Sequence, residues 1–515
     1  VSSPGSVSAA PVAEPRPGPR PGEPRTLLGW SRGGAALLLL AALAAFAAWL
    51  PFLHTPLSAD ESGFLVLGRQ WHPGTSLYGD YWVDRPPLLL WLFSVAGHFS
   101  PAGGVVAAPA VKLMGATASA ASVLLAGVLG GLLGGGRLWP RVAAPAVALA
   151  LLSSPFFGLP ETDGEVLAAP FVLLGVVLLV AALREPPGLH PAHRLALAAG
   201  AGAAAMSAAL VKQNAVDVFV LAAVLLLTRR GRSALGARGA GALAAGGLAV
   251  LGAATGGAAG LGTSPRGLWD AVFVFRFEAS AVISSSASPA TSERMDRLTS
   301  VFVTSGAAAL LVVLLLLMLI DRSSPLTWPA VALAGWELVG VALGGSYWWH
   351  YLTGLVPGLV LLVALAGRLR LRSLVAAVLA YVLIVNPVTL AQWTDLPDDG
   401  SSEEQAAAYL RAHAEPSDGV VVAFGHAEIV AASGLSSPYP YLWSLPVRVR
   451  DPRLQQLEDV LAGPAAPRWV VVDGDSLASW GLDAQHAQDY LLRHYGEVRA
   501  YGEWHVWERQ EGADR

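Results

Sequence analysis

Runs of Ala, Leu, Val and Gly long enough to cross a bilayer recur between residues 34 and 391, separated by short polar loops. In hydrocarbon every backbone N–H and C=O needs a protein partner, so a series of such runs is restricted to a bundle of helices. The composition agrees, with 54% hydrophobic and 14% charged residues among 515, far from the average of soluble domains. Spans are expected at residues 34–52, 109–133, 142–158, 168–183, 195–211, 215–228, 239–261, 299–320, 327–343, 351–367 and 373–391, about eleven in all. The first is long for a signal-peptide core and is followed by further spans, so it is read as a retained helix. The apolar stretch 87–99 is short and interrupted; an interfacial or re-entrant segment is expected there.

Basic residues give the sides. Arg16, Arg20, Arg25 and Arg32 precede the first span, and every second loop is again basic: Arg137 and Arg141, Arg184 and Arg194, Arg229 to Arg238, Arg322, and Arg368 to Arg372. The short loops between them, at residues 161–165 and 344–349, contain no Lys or Arg. The expected plan is a disordered cytoplasmic tail (1–33), a transmembrane domain (34–392) whose first outer loop is 53–108, and an extracytoplasmic domain (393–515). In that last part "GVVVAF" (419–424) and "RWVVVDG" (468–474) read as strands, with helices at 403–414, 454–461 and 484–494, hence a small α/β domain. Nothing in it reads as catalytic; the "DGD" at 473–475 reads as a strand-end turn. The fold class expected is mostly α: a polytopic transmembrane bundle with interfacial helices in the first outer loop, plus that C-terminal domain. With no cysteine, disulfides and thiolate chemistry are excluded. Two lysines against many arginines, with abundant Ala and Gly, suit a GC-rich, actinobacterial genome.

The ionisable residues that are not topology signals gather on the outer side. "SADE" at 58–61 precedes an apolar run and reads as a capping box, Ser58 as N-cap and Glu61 reaching back; "TDGE" at 162–165 repeats the pattern. Capping accounts for Glu61 and Glu165 and leaves Asp60 and Asp163 less explained, although acids in a first turn also suit the helix dipole. Two carboxylates on one side of the membrane would also suit a base for a hydroxyl or a divalent-cation site drawn from Asp60, Asp163 and Glu165. Asp80 and Asp84 lie among Tyr78, Tyr81 and Trp82 ahead of Pro86 and Pro87. Such aromatics form an interfacial belt or a sugar-stacking surface. Lys212, in "VKQN", reads either as a snorkelling lysine or as a point charge for a lipid phosphate. His350 in "YWWHY" reads as a packed ring or a site residue, and Arg276 with Glu278 in "FVFRFE" as an interfacial salt bridge.

In order, "ADESGF" with "YWVDRPPLLLWL", "PETDGEVLAAPF", "LVKQNAV" and "YWWHYLTGLVPGLVLLVAL" resemble the polytopic GT-C glycosyltransferases, in particular the bacterial branch containing aminoarabinose transferase and protein O-mannosyltransferase relatives. The resemblance covers about residues 34–391. It implies transfer of a sugar from a polyprenyl-phosphate donor to an acceptor hydroxyl with inversion, in a site at the outer membrane surface. Asp60 would then be the general base and Asp163 the second acid. Lys212 would neutralise the donor phosphate with His350 nearby, and Glu61, Tyr81, Asp84, Arg85 and Glu161 would contact substrate. Arg85 stands where many relatives have lysine, and no aromatic follows Glu61. The implied location is the plasma membrane. The implied partners are the lipid donor, the bilayer, and a cell-wall glycan, glycolipid or protein acceptor; a divalent cation is the one cofactor considered, and no nucleic acid is expected. Two rival readings are a lipid-linked glycan flippase, for which Asp217 and Glu337 inside the spans would matter, and an inactive scaffold whose C-terminal domain binds a partner.

Overall fold

The computed structural model describes residues 32–510 apart from 101–104, 136, 185–190, 286–288, 321, 323, 367–371, 395–400 and 479–481. The N-terminal tail therefore lies outside the described residues, except for its last two.

All eleven expected spans are helical in the structure, most within a few residues of expectation. Among the described residues, seven helices are long and apolar enough to cross a membrane: Arg32–Phe52, Pro109–Gly134, Gly164–Arg184, Pro191–Val211, Arg229–Gly260, Trp349–Ala366 and Ser373–Thr394. The span expected at 299–320 is two helices, Pro289–Thr304 and Ala307–Ile320, bent by 65°. Asn386 closes the break, its amide donating to Ser305 O at 3.1 Å and Val382 O at 2.9 Å. Leu138–Leu152, Asp217–Leu227 and Thr327–Ala342 are helices shorter than 18 residues; hydropathy reads composition and not where a helix stops. The protein is thus a multi-pass helical membrane bundle.

Among the described residues, arginines at helix ends contact neighbouring helices. Arg184 donates to Leu132 O, and Arg194 donates to Ala234 O. The carboxylate-rich segments meet at one end of the bundle.

The long loop 53–108 carries two twelve-residue helices, Ala59–Gln70 and Pro87–His98, with Phe64 and Phe93 packed edge to face at 5.3 Å between ring centres. Pro87 starts the second helix where a missing N–H costs nothing. The C-terminal region carries a four-stranded sheet: β1 (Val420–Ala423), β2 (Trp469–Asp473), β3 (Tyr495–Tyr501) and β4 (Trp504–Arg509), in the order β1-β2-β4-β3. β1 and β2 are parallel, and the other pairs are antiparallel. The expected strands and helices are present, and "DGD" ends β2 in a bend at Gly474, whose N–H donates to Glu503 O at 2.7 Å. β3 and β4 escape sequence reading because both mix charged residues among apolar ones, with β3 largely exposed at the sheet edge and β4 inside the sheet.

Candidate active site at the carboxylate-rich end of the bundle

The Ala59–Gln70 helix starts in the capping box expected from its sequence: Glu61 N donates to Ser58 Oγ at 3.3 Å and Ser58 N to Glu61 Oε2 at 3.0 Å. Glu61 does more than cap. Its oxygens also accept from Lys112 Nζ at 2.7 and 2.8 Å and from Thr162 N at 2.8 Å, and Lys112 reaches Pro160 O at 3.0 Å. Both side chains are almost fully buried. Glu61, expected to contact substrate, is instead saturated by protein donors and ties together the 53–108 loop, a span and the 160–163 loop. Lys112 is no snorkeller.

The second capping box does not form. Thr162 Oγ1 donates to Val111 O at 3.0 Å, and Asp163 itself caps the Gly164–Arg184 helix, accepting from Val166 N at 2.9 Å through Oδ1. Its Oδ2 faces His350 Nδ1 at 3.7 Å, and Glu161 lies 3.5 Å from the same nitrogen. Glu165, freed from capping, meets the Lys212 ammonium. Lys212 also lies over the Tyr351 ring at 4.9 Å; it points into the protein, so the snorkelling alternative fails. Burial raises the Asp163 carboxyl to about 6 even though His350 and Lys212 favour its charged form. Burial, helped by Arg85, pushes Lys212 down to about 7 against the pull of Asp163 and Asp60.

Asp60, in the first turn of its helix, accepts from the Trp443 indole N–H at 2.7 Å and lies 4.0 Å from Arg85. Arg85 pairs with Asp84 at 2.8 Å, and Asp84 also holds Arg276. The expected Arg276–Glu278 pair is not formed; Glu278 pairs with Arg450 at 3.3 Å. Arg276 was therefore missed as a site residue, because a nearby acid in sequence suggested a local bridge. Burial lowers its pKa, and Asp60 holds it up. Tyr81, expected near substrate, is buried with its hydroxyl accepting from Ser437 N at 3.0 Å. Asp80 pairs with His72 at 3.3 Å, away from the cluster.

The structure therefore joins Asp60, Arg85, Asp84, Arg276, Lys212, Asp163, Glu165, Glu161 and His350 into one chain of charges at the bundle end. Within it, ligand atoms of Asp163, Glu165 and His350 lie within 4.8 Å of one another. Glu165 Oε2 is buried without a hydrogen-bond partner, so a divalent cation fits this two-carboxylate, one-imidazole set. Asp60, considered for such a site, is not in the group, and His350 takes its place. Asp217 and Glu337 lie buried beside each other inside the bundle, and Glu337 accepts from Gly358 N at 2.8 Å, closing the free N–H at the start of a helix.

No family model matches the chain, and no curated protein matches it by sequence. Solved structures do. ArnT from Cupriavidus metallidurans, bound to undecaprenyl phosphate, superposes with a TM-score of 0.59 over 94% of this chain and 99% of its own, at 13% identity. The protein has the GT-C fold. The apo oligosaccharyltransferase of Archaeoglobus fulgidus shares this GT-C fold, with a TM-score of 0.56 at 14% identity over 93% of this chain and 74% of its own. The same archaeal enzyme in complex with Zn and sulfate gives 0.53 at 12% identity, over 90% and 71%.

Proposed function

We propose that the protein is an integral-membrane glycosyltransferase that moves a sugar from a polyprenyl-phosphate donor to an acceptor hydroxyl, with inversion, at the outer face of the plasma membrane. The carrying observation is that Lys212, Arg85 and Arg276 meet Asp60 and Asp163 at one end of a GT-C bundle, where a lipid can lie between helices and its headgroup can reach water. ArnT, which shares the fold, was crystallised with a lipid phosphate.

In this reading Asp60 takes the acceptor hydroxyl proton as the oxygen attacks the anomeric carbon from the face opposite the phosphate. The anomeric C–O bond breaks, and the polyprenyl phosphate leaves with the electron pair. Lys212, with Arg85 and Arg276, balances the charge that grows on the departing phosphate. Asp163, Glu165 and His350 would hold a divalent cation, whose chemistry is further neutralisation of phosphate charge. Glu61 and Lys112 set the loop that carries Asp163. With the arginine-rich loops cytoplasmic, the C-terminal region lies outside. Against the flippase reading, Glu337 is engaged by the backbone N–H of Gly358.

The test is a donor panel: purified protein with polyprenyl-phosphate mannose, arabinose, glucose or galactose and a membrane extract as acceptor, alongside Asp60→Asn. Transfer from one donor, lost in the variant, is the expected result. Transfer that survives in Asp60→Asn removes Asp60 as the base. Donor flipping in proteoliposomes without transfer refutes the enzyme reading.

A further inference from the structure

The C-terminal region meets the bundle end through the Ala427–Ser433 helix, where Ala431 O accepts from Val105 N at 3.0 Å, and through the aromatic run 437–450. Ser437 N bonds Tyr81, Trp82 N donates to Pro440 O at 3.0 Å, and Arg450 reaches Asp270 at 2.7 Å while lying over the Trp82 and Phe275 rings. Trp443 sits between these anchors. Its ring rests on the Ala59–Gln70 helix at Gly63, where any Cβ would come 2.3 Å from the indole, and is 5.5 Å from Phe64. Its N–H ends on Asp60 Oδ1 at 2.7 Å. An indole nitrogen only donates, and a short bond to a carboxylate is of the strong, charge-assisted kind. One carboxylate oxygen is thereby fixed and the plane of the group with it. The other oxygen, on the Arg85 side, is left for a proton.

The geometry points to Trp443 as a positioning residue of the transfer site: the C-terminal region completes the catalytic centre by holding Asp60 Oδ1 so that Oδ2 faces the acceptor hydroxyl. This rests on Asp60 being the base. A base held by two contacts on rigid elements loses rate steeply when it is released, because a misplacement near 1 Å costs about 100-fold.

Trp443→Phe keeps an aromatic ring on Gly63 and removes the N–H. In the full-length protein, with the donor active in the panel, kcat is expected to fall about 10- to 100-fold, with donor KM and unfolding temperature unchanged. Gly63→Ala, which displaces the indole from the other side of the contact, should give the same split with Trp443 intact. Arg450→Lys loosens the same run without touching Asp60 and should retain wild-type kcat. Wild-type kcat in Trp443→Phe while Asp60→Asn is inactive overturns the inference alone. An equal loss in Arg450→Lys also overturns it, since docking in general would then be responsible. An active Asp60→Asn overturns the base assignment and this inference together.

Discussion

Glu61 and Asp163 both serve helix starts, Glu61 from the third helical position and Asp163 as the cap, yet they commit their oxygens differently. Glu61 gives both to Ser58, Thr162 and Lys112; Asp163 gives one to its helix and turns the other to His350. The structural and functional readings of a first-turn acid are thus divided between residues and, in Asp163, between two atoms. Because Glu61 and Lys112 are both buried, removing one leaves an uncompensated charge. Lys112→Met is expected to cost about 3–5 kcal/mol, read as a lowered unfolding temperature in detergent. Lys212→Met should leave Glu165 and Asp163 in place but remove the fixed cation facing the leaving group. A fall in kcat of about 100- to 1,000-fold is expected; wild-type kcat would end its assignment.

Among the elements, the spans Pro191–Val211 and Arg229–Gly260 approach backbone to backbone: a Cβ on Gly202 would lie 1.8 Å from Leu243 O, and one on Gly246 would lie 1.9 Å from Ala199 O. Small residues allow such contact between membrane helices, so Gly202→Val should force the pair apart at about 1–3 kcal/mol, measured by thermal unfolding. In the C-terminal region, burial opposes protonation of His426, but Glu428 at 2.8 Å, with Glu403 and Asp473, outweighs it and raises its pKa. A raised histidine contributes stability that is complete below its ordinary value and is lost as pH rises through the folded one. The unfolding temperature should therefore fall as pH rises above the ordinary histidine value of about 6.5, and His426→Gln should flatten that slope.

Over the whole molecule, arginines at helix ends donate to carbonyls of neighbouring helices, and carboxylates meet cations at one end of the bundle. The absence of cysteine makes the orientation testable by single substitutions at exposed positions. In intact cells an impermeant maleimide should label Thr75→Cys and Asp475→Cys and spare Ser233→Cys. Labelling of Ser233→Cys with the other two silent would invert the molecule. The same GT-C architecture is reached at 13% identity, because a bundle needs apolar spans and close helix contacts far more than particular side chains.

The amino-acid sequence determined by itself the rough place of the spans, the division into a basic and an acidic end, the first capping box and the two parallel strands. These depend on local quantities: hydropathy over a span, charge in a short loop, and side-chain reach within one turn. Tertiary structure alone decided the partners. Glu61 took Lys112 and left Asp163 and Glu165 to His350 and Lys212; Arg276 ignored the acid two residues away for Asp84; Trp443 reached Asp60 across 383 positions. Such pairings are set by how helices pack and where a loop returns, and neither periodicity nor spacing along the chain records them.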